Sequence, residues 1–282
     1  MGRSSKIPHQ LISLSNYHCS MIYSFTPFAN LNPLEISLLV GINLFGFTVR
    51  GAFGFGAGLP NVLLMSLIVP PHQAVILHST ATLFSQLQLL PQGVRDGDWQ
   101  ISKHLIFGFF FATIAGVLLF SFLNEDQLKI SIGLLLLIIM LADLANILDR
   151  LSVHINLKRP SVPIFYGAFS GFIGAIAGGG TGYFLAAYLK WATKSPISFR
   201  GTNLLMAIFY GLWRFFLLVI AGWVGWQTLL NALILVPAVL LGGMLGRLLS
   251  QRLKTATFYR GVQLILILAA ILLMAKGLKL FQ

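Results

Sequence analysis

The chain has 282 residues, of which 57% are hydrophobic and 9% are charged, and its formal net charge is +12. Soluble domains carry about 25% charged residues, so this composition excludes an ordinary soluble domain and indicates a polytopic membrane protein. The basic residues lie in short connections between apolar runs, a distribution that sets membrane orientation and argues against a nucleic-acid partner. One cysteine, Cys19, excludes an internal disulfide and argues against a cysteine-based metal site.

The apolar runs predict an all-α integral membrane bundle, because about 20 apolar residues are needed for a helix to span a bilayer. An N-terminal extension at 1–32 precedes a first transmembrane repeat at 33–148. The second segment of this repeat is only about half a bilayer deep, and the third is expected to end at Pro91. The predicted segments of the first repeat are 33–53, 59–69, 72–90, 104–123 and 128–148.

A connecting loop at 149–161 leads into a second transmembrane repeat at 162–278, in which a short segment again comes second. Aligning Pro71 with Pro196 sets His78 against Asn203, an offset of 125 positions. The predicted segments of the second repeat are 162–177, 182–191, 197–221, 226–249 and 258–275.

The number of segments in each repeat predicts how the two repeats are oriented. Counted as passes, the five segments of each repeat are an odd number, so the second repeat is predicted to be inverted relative to the first. Twelve of the nineteen Lys and Arg residues fall on one predicted side and five on the other, with Arg50 and Arg214 inside the spans. The richer side is predicted to be cytoplasmic, which leaves both termini outside.

Two glycine-rich stretches, at 50–60 and 170–182, interrupt the apolar sequence at corresponding places in the two repeats. Glycine weakens helices, and irregular backbone at membrane depth is tolerated only where protein or a water-filled cavity shelters it. The paired stretches therefore favour a glycine-broken helix in each repeat and a midplane binding site between them. The alternative is close helix packing through small residues, which suits Gly167, Gly171 and Gly174.

The ends of broken helices expose backbone N–H groups and a partial positive charge, and together these bind anions. Arg214, in the middle of a predicted helix, would add charge and a forked pair of hydrogen bonds to an oxyanion. His78 and Asn203 lie on the helices that follow the glycine stretches. The predicted substrate-binding residues are Gly54, Gly56, Gly58, His78, Gly178, Gly179, Gly180, Asn203 and Arg214.

Ionisable residues inside spans are costly and are candidates for function. Arg50, Asp143 and His78 are the candidates for an ion pair or for proton transfer, and histidine is the residue type that titrates near neutral pH. The alternative is a structural ion pair between Asp143 and one arginine, which leaves the other arginine facing water or an anion. Thr82 and Ser85 share the helical face of His78, where hydrogen bonding between helices is the simpler interpretation.

The duplicated glycine stretch, with a proline and a polar helix after each copy, resembles the sulfite exporter TauE/SafE family of the sulfonate uptake permease group. The resemblance rests on Gly51–Gly58, Pro70–Val75 and the second copy at Gly171–Gly180 with Pro196, and it covers about 33–278. It implies a small integral membrane transporter for sulfur-containing anions, such as sulfite or sulfonates, in a bacterial-type inner membrane.

The predicted function is secondary transport of a small anion, a sulfur oxyanion or a sulfonate, by alternating access around the paired glycine breaks. An anion channel is the nearest alternative. A membrane-embedded enzyme is disfavoured because the six histidines have neither metal-ligand spacing nor an accompanying acidic cluster. No cofactor and no metal are expected. The expected partners are the small anion and the lipid bilayer, and a homo-oligomer is compatible with the sequence.

Overall fold

The computed structural model describes residues 28, 30–53, 56–145, 159–252 and 255–279, and the described part is all-helical, as the sequence predicts. Gly54 lies outside the described residues. The helices are α1 (Pro33–Phe53), α2 (Gly58–Met65), α3 (Pro71–Asp96), α4 (Trp99–Phe122), α5 (Glu125–Leu144), α6 (Ser161–Ala177), α7 (Thr181–Ala192), α8 (Pro196–Ile220), α9 (Trp226–Arg252) and α10 (Thr255–Gly277).

Helix α3 runs through Pro91 and ends at Asp96, so the predicted end at Pro91 is wrong. Proline removes a backbone donor and usually ends or kinks a helix. Here the helix continues because its last turns pack against α8, where Gly93 lies against the backbone of Leu205. Tertiary packing at a glycine therefore outweighs the local preference of the proline.

The start of α4 is set by a capping side chain, five residues earlier than the predicted start at His104. The carboxylate of Asp98 accepts hydrogen bonds from the backbone N–H groups of Gln100 at 2.9 Å and Ile101 at 3.1 Å. A capping carboxylate satisfies donors that have no partner within the helix and suits the positive end of the helix dipole. The helix can therefore begin at Trp99.

Helices α1 and α2 form an antiparallel hairpin. The amide of Asn43 on α1 lies 3.5 Å from the sulfur of Met65, at the end of α2. Further along α1, Gly46 lies directly against the side chain of Asn61, nearer the start of α2. The chain therefore turns back on itself between these helices and returns towards the end of the bundle from which α1 starts.

Helices α6 and α7 form a second antiparallel hairpin. Tyr166 on α6 stacks on Tyr188 of α7, with ring centroids 5.0 Å apart. Nearer the turn, the hydroxyl of Thr181 donates to the carbonyl of Ser170 at 3.3 Å. The sequence-based count takes each of the two short helices as a separate pass through the membrane. In the structure, each short helix instead pairs with the helix before it. Each half is therefore one hairpin followed by three long helices, and the number of long helices after each hairpin is odd.

Two pairs of long helices, α3 with α8 and α5 with α10, pack antiparallel to each other. In the α3–α8 pair, the guanidinium of Arg214 donates to the hydroxyl of Ser79, and at the other end Gly201 lies against the backbone of Asp96. In the α5–α10 pair, Gly133 lies against α10 at the carbonyl of Ala270, and the ends are joined by a salt bridge of 3.2 Å between Lys279 and Asp126.

The remaining large contacts are between helices that run in the same direction, α1 with α9 and α4 with α6. In both pairs glycines bring the two backbones together, as small residues do in packed membrane helices. This confirms the packing interpretation of Gly167 and Gly171. The close contacts are Gly242 with Leu44, Gly246 with Thr48, Gly108 with Ile164, Gly116 with Phe172, Gly167 with Leu105 and Gly171 with Phe109.

The two ends of the bundle differ in charge. We call the end at which α3 finishes and α8 begins the basic end, and the end at which α1 begins the opposite end. Among the described residues, the basic end holds Arg95, Lys103, Arg159, Lys190, Lys194, Arg200 and Arg247, and the opposite end holds Lys129, Lys276 and Lys279. Four described stretches, Pro33–Ala52, Trp99–Phe122, Pro196–Ile220 and Trp226–Leu249, are long and apolar enough to cross a membrane.

Replacing Gly108 by alanine should loosen the α4–α6 pair. A Cβ at this position would lie 2.0 Å from the carbonyl oxygen of Ile164, so the two helices must separate. Overpacking of this kind costs about 1–3 kcal/mol, and we expect a lower apparent melting temperature in detergent. Gly41→Ala on α1 is the matched control, because a Cβ there meets nothing within 4 Å. Equal melting temperatures for the two variants would contradict this packing.

Candidate functional site

The turns of the two hairpins are built on glycines with positive φ. Gly178 and Gly180 have φ angles of 73° and 91°, and Gly56 has a φ angle of 96°. L residues with a side chain rarely adopt this region. Helix α6 therefore ends at Ala177, and α7 begins four residues later at Thr181.

The two turns contact each other at the centre of the bundle. A Cβ on Gly179 would lie 2.4 Å from both the carbonyl carbon of Gly58 and the amide nitrogen of Leu59. A Cβ on Gly58 would lie 2.7 Å from the Cα of Gly179. Only residues without a side chain permit this approach, so the glycines bring the start of α2 against the start of α7.

Helices α2 and α7 both begin beside this contact without a capping side chain. Ala57 precedes α2 and Gly180 precedes α7, and neither makes a side-chain hydrogen bond to its helix. The first N–H groups of an α-helix have no partner within the helix, and they carry the positive end of its dipole. Gly58, Thr181 and Gly182 line one cavity, so both helix starts border the same space.

This central cavity has a volume of about 100 Å³. A space of roughly 10–15 Å³ accommodates one water molecule, so the cavity has room for a small oxyanion with some of its water. It is lined by the two glycine turns and by polar side chains of α1, α3, α7 and α8. Those side chains belong to Arg50, His78, Ser79, Thr82, Gln86, Thr181, Tyr183, Asn203, Tyr210 and Arg214.

Arg214 is the best-buried charge of the cavity, with only 2% of its surface exposed. Its guanidinium donates to the hydroxyl of Ser79 on α3 and, at 3.0 Å, to the carbonyl of Ala175 on α6. Its Nε–H has no partner among the described residues. Burying a polar group without a hydrogen bond is unfavourable, so this donor lacks a compensating acceptor in the described part of the chain.

No carboxylate belongs to the described residues that line the cavity. The salt bridges formed by described side chains, Arg95–Asp96 and those of Asp126 with Lys129 and Lys279, lie at the ends of the bundle. Asp143 lies on α5, and its side chain falls outside the described part of the chain. Its ion pair with an arginine therefore stays a prediction.

His78 is held in the cavity wall by a short polar network. Its Nδ1 lies 3.4 Å from the amide nitrogen of Asn61 on α2, and its Nε2 lies 3.2 Å from the hydroxyl of Thr82. The amide of Asn61 also donates to the Oδ1 of Asn43 on α1 at 3.2 Å. The network joins three helices and fixes the imidazole, and Nε2 is the ring nitrogen nearer the turn glycine Gly58.

The structure brings most of the predicted site residues together. Gly56, Gly58, His78, Gly178, Gly179, Gly180, Asn203, Arg214 and the ion-pair candidate Arg50 all line the central cavity. Thr82 lines it too, whereas Ser85 borders a separate cavity. Arg50 is 9% exposed and lies 5.8 Å from the ring centroid of Phe47, which is the geometry of a cation–π contact.

Sequence reasoning missed Ser79 and Gln86 as lining residues and assigned Thr82 to hydrogen bonding between helices. Ser79, Thr82 and Gln86 are spaced i, i+3 and i+7 and share one helical face, a signal that the stripe through His78, Thr82 and Ser85 obscured. The Oε1 of Gln86 is buried with no partner among the described residues. Thr181 and Tyr183 carry no periodic signal, because their position depends on the turn of the second hairpin.

A family model described as Sulfite exporter TauE/SafE matches residues 38–273. The match covers most of the chain and both hairpins. The chain belongs to the TauE/SafE family. It is thus a multi-pass membrane protein of a transporter family, in agreement with the sequence-based resemblance. No curated protein and no solved structure matches the chain.

The described residues contain no group of three or more His, Cys, Asp or Glu side chains that could hold a metal ion. The polar groups of the described lining include helix-start backbone N–H groups, amides, hydroxyls, an imidazole and two guanidinium groups. The two guanidinium groups give the lining a positive charge, which suits an anion.

Gly179→Ala should destabilise the contact between the two turns, since the new Cβ would meet backbone atoms that cannot rotate away. We expect a loss of about 1–3 kcal/mol, or failure to recover folded protein. Gly225→Ala is the control, because a Cβ there meets nothing within 4 Å. Melting curves in detergent measure both, and an unchanged Gly179→Ala protein would refute the contact.

Proposed function

We propose that this TauE/SafE protein is a secondary transporter of a small oxyanion, a sulfur oxyanion or a sulfonate, and that the central cavity is its binding site. One observation carries the proposal. Two uncapped helix starts and the buried Arg214, whose Nε–H has no partner among the described residues, border a cavity whose described lining contains no carboxylate.

The proposed recognition is electrostatic and directional. A helix N-terminus offers N–H groups and partial positive charge to an anion. Arg214 adds a full charge with donors in a fixed plane, which suits an oxyanion better than a spherical halide. Gly58, Gly178 and Gly179 allow the anion to approach the backbone, because no side chain intervenes.

The packing of the two halves supports an inverted repeat with a glycine break in each half. Antiparallel packing of α3 with α8 and of α5 with α10, together with parallel packing of α1 with α9 and α4 with α6, is consistent with a twofold axis in the membrane plane. Transporters built in this way bind substrate where broken helices meet near the midplane. In this proposal each hairpin enters the membrane and returns to its own side.

We infer that the protein lies in a cell membrane with its basic end facing the cytoplasm and both termini outside. The distribution of Lys and Arg supports this orientation.

At the opposite end an aromatic cluster supports a closed path. His72 stacks on Trp223 at 5.0 Å, His72 lies 4.9 Å from Phe120, and Trp223 donates to the hydroxyl of Ser121 at 2.9 Å. Alternating access would require this cluster to separate while the basic end closes.

His78 is proposed to contact the substrate and, as a titrating group, to couple transport to a proton. Asn61 and Thr82 hold the imidazole ring in one orientation, which suits both a substrate contact and proton transfer. The variant His78→Gln distinguishes the substrate contact from the proton coupling, because glutamine keeps a hydrogen-bond donor but cannot titrate. Loss of pH dependence with retained binding supports proton coupling, and loss of binding assigns a substrate contact.

Binding is tested by the thermal stability of the purified protein in detergent with sulfite, sulfate, thiosulfate, taurine, sulfoacetate, acetate and chloride. A ligand that binds only the folded state at about 100 times its Kd adds about 2.7 kcal/mol, so a selective rise in melting temperature should identify the anion class. Arg214→Lys, which keeps the charge but not the forked donors, should reduce the shift.

The matched control for Arg214 is Arg159→Gln, which removes a charge at an exposed position outside the cavity. It should leave the shift unchanged.

Transport itself is tested in proteoliposomes with the anion that shifts the melting temperature most. Saturable flux that accumulates anion under an imposed gradient supports a transporter, whereas flux that rises linearly and never exceeds equilibrium would identify the alternative, a channel. A stable protein that no anion stabilises would refute the anion site.

A further inference from the structure

Three polar side chains from three helices form a buried chain of hydrogen bonds beside the central cavity. They are Asn43 on α1, Asn61 on α2 and His78 on α3, of which the two asparagines have no exposed surface and His78 is 3% exposed. Gly46 makes room for the amide of Asn61, because a Cβ at position 46 would collide with the Oδ1 of that amide. The orientations of the two amides decide which nitrogen of His78 carries a proton.

The orientation of the Asn43 amide follows from a backbone carbonyl. Its nitrogen lies 2.9 Å from the carbonyl oxygen of Leu39, one turn earlier on α1, and a carbonyl oxygen accepts but never donates. The NH2 group of Asn43 must therefore face Leu39, which leaves its Oδ1 facing the amide of Asn61, at 3.2 Å. This oxygen needs a donor, so Asn61 must present its own NH2 group to Asn43.

The same NH2 group reaches His78. The amide nitrogen of Asn61 lies 3.4 Å from the Nδ1 of His78, and it has a second hydrogen to donate. Reversing the Asn61 amide would set two acceptor oxygens against each other, with no hydrogen between them. Because an amide NH2 group donates and does not accept, Nδ1 must be the acceptor, and the single proton of a neutral imidazole then lies on Nε2.

The other side of the imidazole is compatible with this tautomer. Nε2 lies 3.2 Å from the hydroxyl of Thr82, whose hydrogen is donated to the backbone carbonyl of His78 at 2.6 Å. The hydroxyl oxygen therefore accepts from the Nε2–H. A hydroxyl can rotate and exchange these roles, whereas the amide of Asn61 is tied to Asn43. Asn61 is thus the group that decides the tautomer.

We propose that Asn61 is a positioning residue that holds the proton of neutral His78 on Nε2, so that the imidazole offers an N–H donor in the cavity wall at the start of α2. Nε2 is the ring nitrogen on the side of Gly58, 3.5 Å from the place of a Cβ on that glycine. A contact between this N–H and a transported anion rests on the proposed function, whereas the tautomer does not. A second proton would enter at Nδ1, where Asn61 already donates, so proton uptake by His78 requires the Asn61 amide to move.

The tautomer is measured by solid-state NMR of the full chain in lipid, with histidine and asparagine labelled with 13C and 15N. Nε2 is bonded to Cδ2 and Nδ1 to Cγ, so the spectra show which nitrogen carries the proton. The His78 signals are those that the variant His78→Gln removes. In the unaltered protein we expect a proton on Nε2, none on Nδ1, and magnetisation transfer from the amide hydrogens of Asn61 to Nδ1.

The variant Asn61→Asp replaces the NH2 group by an oxygen that accepts, so we expect Nδ1 of His78 to become protonated. Asn43→Asp is the matched control, because it makes the same change in the same network but keeps an oxygen facing Asn61. In this control Nδ1 should stay unprotonated. Melting curves show whether both variants fold, and the spectra of the unaltered protein test the proposal even if neither does.

A proton on Nδ1 in the unaltered protein would overturn the proposal. An Nδ1 that stays unprotonated in folded Asn61→Asp, or that becomes protonated equally in both variants, would overturn it too. Sulfite and sulfate are then added to the unaltered protein. A shift of the Nε2 signal would support the substrate contact as well as the tautomer. The expected tautomer with no shift from either anion would reject that contact and leave the positioning role of Asn61 standing.

Discussion

The contact between the turns of the two hairpins is the constraint on which the rest of the site depends. Gly58 and Gly179 lie so close that a side chain on either would collide with backbone of the other turn. This approach sets the starts of α2 and α7 side by side at one cavity, which both helix starts border. Two weak partial charges, each of about half an elementary charge, thus act on the same point.

Arg214 connects this cavity to the long helices through its hydrogen bonds. It lies on α8, donates to Ser79 on α3 and to the carbonyl of Ala175 at the end of α6, and keeps one donor free. A buried arginine without a carboxylate partner is unfavourable in an empty, dry site, and an anion would offset that penalty. Binding would then also tie α3, α6 and α8 together, which links occupancy of the site to the relative positions of the two halves.

The glycines of this chain have two different structural roles. Gly108, Gly116, Gly167 and Gly171 permit close packing between α4 and α6 and lie on regular helices. Gly178 and Gly180 adopt positive φ and end a helix instead. Helical spacing in the sequence distinguishes Gly167 and Gly171 from the run at 178–180, because packing needs small residues on one face only, whereas a run of consecutive glycines has no single face.

The amino-acid sequence by itself determined the membrane class, the positions of the helices, the TauE/SafE family and many of the cavity-lining residues. These depend on hydrophobicity, on proline and glycine and on a duplicated motif, all of which are local. Only the tertiary structure decided that the short helices fold back as hairpins, that α3 continues through Pro91, and that Ser79 and Gln86 line the same cavity as Arg214. Such features depend on contacts between residues far apart in the chain, where packing against a neighbouring helix outweighs the local preference of a single residue.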